Sequence, residues 1–98
     1  MYFICNLQTL VDREQRDTQL RTAHLDWLKE AHSKGELALS GPRPGHTDGH
    51  YIIQAASRQD AERIAQSDPH NNAHYTAFDL VEWTIRRGSL VIEEGAPS

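Results

Sequence analysis

A short segment rich in proline and glycine, residues 42–49, lies between two β-rich stretches in the middle of the chain. The stretches are residues 36–41 before it and residues 50–55 after it. Two prolines and two glycines within these few residues favour a turn or hairpin loop and exclude a crossover helix. The two strands should therefore pair antiparallel.

Outside this hairpin, one strand and one helix are predicted on each side. The first helix shows an apolar stripe at helical spacing and ends at Gly35, and the second helix is ended by Pro69. The predicted elements are strands 2–8, 36–41, 50–55 and 75–84, and helices 17–34 and 57–68. The order β-α-β-β-α-β is that of the ferredoxin-like fold. We predict an α+β protein with a four-stranded antiparallel sheet and two helices on one face.

A chain of 98 residues makes one small domain, so residues 1–98 are assigned to a single unit. Residues 85–98 form a tail, and its sequence allows an extra strand at residues 89–93. Two helices cover one face of the sheet, yet Val81 and Trp83 make the other face of the last strand apolar as well. We therefore expect a homodimer that packs sheet against sheet.

Charge and hydropathy exclude several classes of partner. The net charge is −4 with neutral histidines, and Arg86-Arg87 is the only cluster of basic residues. Nucleic acid and anionic membranes are therefore poor partners. No segment reaches membrane-spanning length and the N-terminus has no basic region, so a cytoplasmic location is expected. The single cysteine, Cys5, lies in an apolar run typical of a buried side chain.

Two polar side chains stand out because of where they lie. Asp68 places a carboxylate at the end of the second helix, where the helix dipole favours a cation. Because Pro69 follows, Asp68 is pushed out of the helical conformation. His24 lies on the apolar stripe of the first helix, with Leu20 and Leu28 one turn away on either side. Both positions raise a functional question.

With these elements in place, the chain resembles the YCII-related (YciI-like) domain family. Several short motifs carry the resemblance, in the family's order and over nearly the whole chain. They are residues 21–25, residues 35–37 leading to Gly41-Pro42, residues 57–62, Asp68-Pro69 and residues 81–83. The resemblance implies a dimeric α+β barrel with a pocket beside the sheet, and a histidine–aspartate pair, His24 and Asp68, as the active site. Known roles in the family include a dehydrochlorinase acting on a substituted aromatic ring.

The chain departs from the family pattern after Asp68-Pro69. His70 stands where an aromatic or large apolar residue is usual, and Asn72-Ala73-His74 stands where the family usually has Lys-Ala-Gly. The shape of the pocket should differ accordingly. Gly41 and Pro42 are predicted at a strand end near the pocket, although turn formation alone also explains them.

The leading hypothesis is a small-molecule enzyme of the lyase, dehalogenase or isomerase type, without an organic cofactor. His24 would act as general base, and Asp68 would orient the imidazole. Arg21, one turn before His24, would hold an anionic group of a small aromatic or oxygenated substrate, with Gly41, Pro42 and His70 as further contacts. The alternatives are a homodimer that binds or senses a small ligand without changing it, and a purely structural histidine–aspartate contact.

Six histidines raise the question of a metal site. Two pairs, His46 with His50 and His70 with His74, are four residues apart, but that spacing presents two ligands together only on a helix. Neither stretch has a helical pattern, so no metal is predicted. Were a metal to bind, His70, His74 and Asp68 would be the first candidate ligands.

Overall fold

The computed structural model describes residues 1–11, 17–46 and 48–92. Its elements are β1 (Tyr2–Thr9), α1 (Thr18–Ser33), β2 (Leu37–Pro42), β3 (Gly49–Gln54), α2 (Arg58–Ser67), α3 (Pro69–Asn72) and β4 (Thr76–Trp83). The predicted order of strands and helices is confirmed, with one addition, the single-turn helix α3. The prediction of an extra strand in the tail is wrong for residues 89–92, because these residues form no strand. Glu93 and the residues after it lie outside the described part of the chain.

The four strands form one sheet in the order β2-β3-β1-β4. All neighbouring strands run antiparallel, and the central pair β1–β3 aligns Phe3 with Ile53 and Cys5 with Tyr51. The predicted hairpin between β2 and β3 is present. This strand order and the helical connections make the architecture a ferredoxin-like α+β fold.

The hydrophobic core lies between the sheet and the helices. Side chains that alternate along β1 and β3 point to the same face and are fully or almost fully buried. They pack with Leu37 of β2 and with small or apolar residues of α1 and α2. The core consists of Phe3, Cys5, Ala31, Leu37, Tyr51, Ile53, Ala55, Ala61, Ile64 and Ala65.

Both ends of α1 have local signals that fix them. The Asp17 side chain accepts hydrogen bonds from the backbone N–H groups of Gln19 and Leu20, as an N-cap residue does. At the other end Gly35 has φ 76°, and Glu36 N–H donates to Ala31 O. This is a Schellman motif, in which glycine adopts the left-handed conformation at little cost. The length of α1 thereby sets where His24 lies relative to the sheet.

The β2–β3 hairpin is closed by an ion pair between the exposed Arg43 and the buried Asp48. Asp48 accepts hydrogen bonds from the Arg43 guanidinium (Nη2–Oδ1 2.6 Å) and from Thr9 N–H (N–Oδ2 2.9 Å). Burial raises the pKa of Asp48, but these hydrogen bonds and the guanidinium charge lower it by more, so the pKa lies below its ordinary value. Gly49 is required beside them, because a Cβ there would lie 2.1 Å from Gly41 O.

The face of the sheet opposite the helices carries an apolar row that crosses all four strands. The register aligns Leu39 with Ile52, Ile52 with Ile4, and Ile4 with Val81, so these four side chains form one row. Val81 is 47% exposed and Trp83 beside it 43%. We call this row with Trp83 the open face. Of the helices that the structure describes, none has the length and apolar character needed to cross a bilayer.

Candidate active site

Asp68 joins two helices. Its backbone, at φ −61° and ψ 122°, ends α2 and begins α3, with Pro69 in the first turn of the new helix. Its carboxylate accepts a hydrogen bond from His70 N–H (N–Oδ1 3.0 Å), which is the contact of an N-cap residue. The carboxylate that is unfavourable for α2 is therefore favourable for α3, which explains its local position.

The structure places His24 against this carboxylate. His24 Nδ1 lies 2.7 Å from Asp68 Oδ1, across 44 positions of the sequence. The His24 side chain is 13% exposed and that of Asp68 is completely buried. An ionised carboxylate can only accept, so Nδ1 carries the proton in the neutral imidazole and Nε2 keeps its lone pair. The pair thus has the tautomer that a general base needs.

The second oxygen of the carboxylate is also paired. The hydroxyl of Tyr51, a core residue, donates a hydrogen bond to Asp68 Oδ2, with 3.0 Å between the two oxygens. Asp68 therefore has three donors, and within the described ranges every buried side-chain nitrogen and oxygen has a hydrogen-bond partner. A buried carboxylate with both of its oxygens hydrogen-bonded is held in one orientation.

Four rings stack in a column through the site. The imidazoles of His24 and His70 lie 4.2 Å apart between centroids and within 10° of parallel. Trp27 continues the column beyond His24 at 6.3 Å, and Tyr75 continues it beyond His70 at 4.7 Å. His70 thus contributes a ring to the column between His24 and Tyr75. Its role here is to pack His24 from one side.

Burial lowers the pKa of His70 to about 4. Electrostatic interaction with the neighbouring His24 ring and with the Arg21 guanidinium acts in the same direction, and the Asp68 carboxylate opposes it only in part. At neutral pH His70 is therefore an uncharged ring. It packs on His24 without competing for the carboxylate.

The buried His70 should make the protein acid-sensitive. Its pKa is about 4 when folded and about 6.5 in an unfolded chain, so between these values the unfolded chain binds a proton that the folded one does not. The free energy of unfolding should therefore fall by about 3 kcal/mol as the pH drops from 6.5 to 4. Urea denaturation of the wild type and of His70→Phe at several pH values measures this. The phenylalanine ring keeps the stack but does not titrate, so its curve should be flatter.

A matched control is His46→Gln, because His46 is exposed in the hairpin loop. This variant should retain the pH dependence of the wild type. Should His70→Phe keep the full loss of stability between pH 6.5 and 4, another group would be responsible and the assignment to His70 would be wrong.

A cavity of about 190 Å³ opens beside the ring column. It lies between the start of α1, the end of β1 and the start of β4. Of the predicted contacts, Arg21 and His70 line it, whereas Gly41 and Pro42 do not. Its walls are formed by Thr9, Asp17, Thr18, Arg21, His70, Tyr75 and Thr76. It therefore combines one guanidinium, one carboxylate, three hydroxyls of threonine and two rings.

Gly41 and Pro42 lie instead at the end of β2, paired with His50 and Gly49. Both are exposed, and a Cβ at position 41 would meet nothing within 4 Å, whereas their backbone lies close to Gly49 and requires glycine there. A wider depression of about 610 Å³ lies between α2 and β4, lined by exposed residues such as Arg58 and Glu62. We place the site at the smaller cavity, because that one adjoins the histidine–aspartate pair.

Three potential metal ligands meet at the pair. Within the described ranges, His24, Asp68 and His70 form the one group of this kind, with ligand atoms within 4.8 Å of one another. Imidazole lone pairs lie in the ring plane, so two stacked parallel rings direct them side by side instead of toward one point. A metal would require one ring to turn. His74, a candidate in the sequence analysis, is exposed with φ 58° and is not in this group.

Comparison with known proteins gives a family and a fold. The family model described as the YCII-related domain matches residues 1–84. The uncharacterized protein YjpA of Bacillus subtilis (strain 168) is 27% identical over 64 residues, which are 65% of this chain and 75% of that protein.

Two solved structures share the architecture. The crystal structure of muconolactone isomerase superposes with a TM-score of 0.75 at 12% identity, over 95% of this chain and 98% of the other. The 5-chloro-2-hydroxyhydroquinone dehydrochlorinase TftG of Burkholderia phenoliruptrix AC1100, in complex with 2,5-dihydroxybenzoquinone, gives 0.63 at 19% identity, over 86% and 94%. At such low identity the likeness concerns the ferredoxin-like fold alone.

Proposed function

The chain belongs to the YCII-related domain family, and on this premise we propose that it is a small-molecule enzyme in which His24 and Asp68 transfer a proton. The observation that carries the proposal is the 2.7 Å contact between His24 Nδ1 and the fully buried Asp68 carboxylate beside a cavity. A buried carboxylate on Nδ1 makes Nε2 a better base and stabilises the imidazolium once the proton has been taken.

The proposed reaction is of the lyase, dehalogenase or isomerase type. His24 Nε2 removes a proton from a substrate carbon, and the electron pair of the broken C–H bond forms a new π bond. Either a leaving group such as chloride departs with its bonding electrons, or the proton returns at another carbon. Both courses consist of proton transfer and, in the first, departure of the leaving group with its bonding electrons; neither oxidises or reduces an external partner, so no organic cofactor enters the proposal. The two structural neighbours are named for an isomerisation and a dehydrochlorination, which are reactions of this kind.

The cavity favours a small, oxygenated substrate with an anionic group at Arg21, because the Asp17 carboxylate in the same wall already accepts hydrogen bonds from two backbone N–H groups of α1. Arg21 supplies a guanidinium that suits a carboxylate or phenolate oxygen. Thr9, Thr18 and Thr76 supply hydroxyl groups, and the rings of His70 and Tyr75 favour a planar molecule. A cavity of about 190 Å³ limits the ligand to roughly the size of one substituted ring.

A second candidate function is binding without chemistry. One observation favours it: His70 and not His24 is among the residues that line the cavity, and the His24 side chain is largely buried. A ligand could then occupy the cavity without reaching the base. The same protein would in that case act as a binding or sensing homodimer.

The two candidates are separated by incubating the protein with chlorinated hydroxyquinols and unsaturated lactones in deuterated water. Mass spectrometry of the recovered compounds reports products, and also deuterium at carbon, which registers proton removal even where no net reaction follows. Products or deuterium uptake support the enzyme. A compound that raises the unfolding temperature by mass action but returns unlabelled supports the binding protein.

We further propose that the open face is the interface of a homodimer. Its four-residue row and Trp83 are apolar, and sheets bury such faces against another layer. Two copies related by a twofold axis would bury the same patch on each other.

Replacing Val81 with lysine should dissociate this dimer. A twofold axis places two charges in one apolar interface, so the dissociation constant should rise by about 100-fold or more. Analytical ultracentrifugation over a range of concentrations measures the change. The control is Gln66→Lys, on the exposed surface of α2, which should behave like the wild type. If Val81→Lys associates as tightly as Gln66→Lys, the open face is not the interface.

A further inference from the structure

We propose that Tyr51, held by Asn71, is a positioning residue that fixes the Asp68 carboxylate against His24. The inference rests on the proposed function, because it concerns how the base of that reaction is oriented. Tyr51 Oη lies 3.0 Å from Asp68 Oδ2, and Asn71 Nδ2 lies 3.1 Å from Tyr51 Oη. Tyr51 comes from β3 and Asn71 from α3, so two separate elements hold the carboxylate.

The donors and acceptors of this network follow from its chemistry. Asn71 Nδ2 lies 2.8 Å from Ala65 O, a carbonyl that can only accept, so the amide nitrogen and not its oxygen faces that side. The same nitrogen donates to Tyr51 Oη, and the Tyr51 proton is therefore free for Asp68 Oδ2. Thr76 Oγ1 donates to the Asn71 amide oxygen. The three hydrogen bonds that link Thr76, Asn71, Tyr51 and Asp68 thus run in one direction, from Thr76 toward Asp68.

Burial makes this arrangement rigid. Asp68, Tyr51 and Asn71 are 0%, 2% and 3% exposed, so water has little access to replace a missing partner. Burial is also the main reason that the pKa of Tyr51 lies far above its ordinary value, and the phenol keeps its proton and remains a donor. Aligned donors in a dry interior reinforce one another. The carboxylate therefore has one favoured orientation, with Oδ1 toward His24.

The network also reaches the cavity. Thr76 is one of the residues that line it, and Asn71 and Tyr51 connect Thr76 to the carboxylate. Tyr51 itself is absent from the cavity wall among the described residues. A residue that acts through Asp68 in this way should affect how well His24 works and not how tightly the substrate binds.

The test variant is Tyr51→Phe, which removes one oxygen and leaves the ring. We expect kcat to fall by about tenfold with KM unchanged within about twofold, as for loss of one hydrogen bond to a charged group. The readout independent of activity is ¹⁵N NMR of the His24 imidazole, which reports the tautomer. The wild type should show Nδ1–H alone, and Tyr51→Phe should show a mixture with Nε2–H.

Two further variants complete the experiment. Tyr2→Phe removes a tyrosine oxygen elsewhere on the sheet and should leave the His24 tautomer as in the wild type. Asn71→Ala keeps Tyr51 but removes the amide that holds it, so it should change the tautomer in the same direction as Tyr51→Phe. If Tyr51→Phe does not fold, the His24 tautomer in Asn71→Ala tests the positioning role instead.

An unchanged tautomer in folded Tyr51→Phe, or in Asn71→Ala where Tyr51→Phe does not fold, would overturn the positioning role. A raised KM with unchanged kcat in Tyr51→Phe would overturn it as well, because Tyr51 would then contact the ligand. Failure of the proposed function looks different: no product or deuterium uptake is seen with any variant, while the tautomer still responds to Tyr51→Phe.

Discussion

Replacing His24 with glutamine is expected to lower kcat by about 10²- to 10⁴-fold, the usual contribution of a positioned general base. Glutamine can donate from its amide to Asp68, so the buried carboxylate keeps a partner in place of the imidazole. It cannot accept a proton at neutral pH. The loss should therefore appear in turnover and in deuterium uptake, measured with the compound that the wild type converts, while the fold is retained.

The control on the same helix is His32→Gln. His32 is exposed and its Nε2 lies 2.7 Å from Ser40 Oγ, away from the pair. Its removal should leave kcat within about twofold. Turnover by His24→Gln at the rate of His32→Gln would rule out His24 as the base.

Arg21→Gln adds a second comparison within the cavity. Arg21 lines the cavity one turn before His24, so losing its charge should weaken substrate binding. We expect KM to rise by about tenfold with a smaller change in kcat. A raised KM in Arg21→Gln beside a lowered kcat in His24→Gln would assign substrate binding to Arg21 and proton transfer to His24.

The sequence predicts the fold and the unusual positions of His24 and Asp68 for identifiable physical reasons, whereas the pairing of the two is implied by the family resemblance. Alternation along the strands and the 3.6-residue period of α1 are strong signals, and the period alone directs His24 toward the sheet. The hairpin follows from Pro42–Gly49, where no helix can form. Asp68 is recognisable in the sequence as a carboxylate at the end of α2, where the helix dipole favours a cation. The structure gives it a local explanation as well, since the same side chain begins α3.

Other parts of the site leave little or no signal in the sequence. A single-turn helix is too short for periodicity, although Asp68 followed by Pro69 has the pattern of a helix start. The stack of His70 on His24 joins residues 46 positions apart in sequence, so no local pattern contains it. Tyr51 has the pattern of a core aromatic residue, and only the tertiary structure shows that its hydroxyl meets Asp68. The cavity likewise forms from three separated segments.

Replacing Asp68 with alanine is expected to lower the free energy of unfolding by about 3 to 5 kcal/mol, the cost of removing one partner from a buried charged pair. Three donors, His24 Nδ1, Tyr51 Oη and His70 N–H, lose their acceptor at once. The N-cap of α3 is lost with them, which alone costs about 1 kcal/mol. Urea denaturation at pH 7 measures the change.

Asp68→Asn separates the charge from the hydrogen bonds. The amide oxygen can still accept where Oδ1 does, so about half of the stability should be recovered. Its nitrogen, however, would face a Tyr51 hydroxyl that already donates in that direction, and the tautomer of His24 would no longer be fixed by a carboxylate.

Asp26→Ala, an exposed aspartate on α1, should cost less than about 0.5 kcal/mol. A cost for Asp68→Ala as small as that of Asp26→Ala would mean that the carboxylate does not hold these elements together. If Asp68→Asn instead keeps most of the stability and loses turnover as His24→Gln does, the carboxylate serves the base and the fold through different atoms.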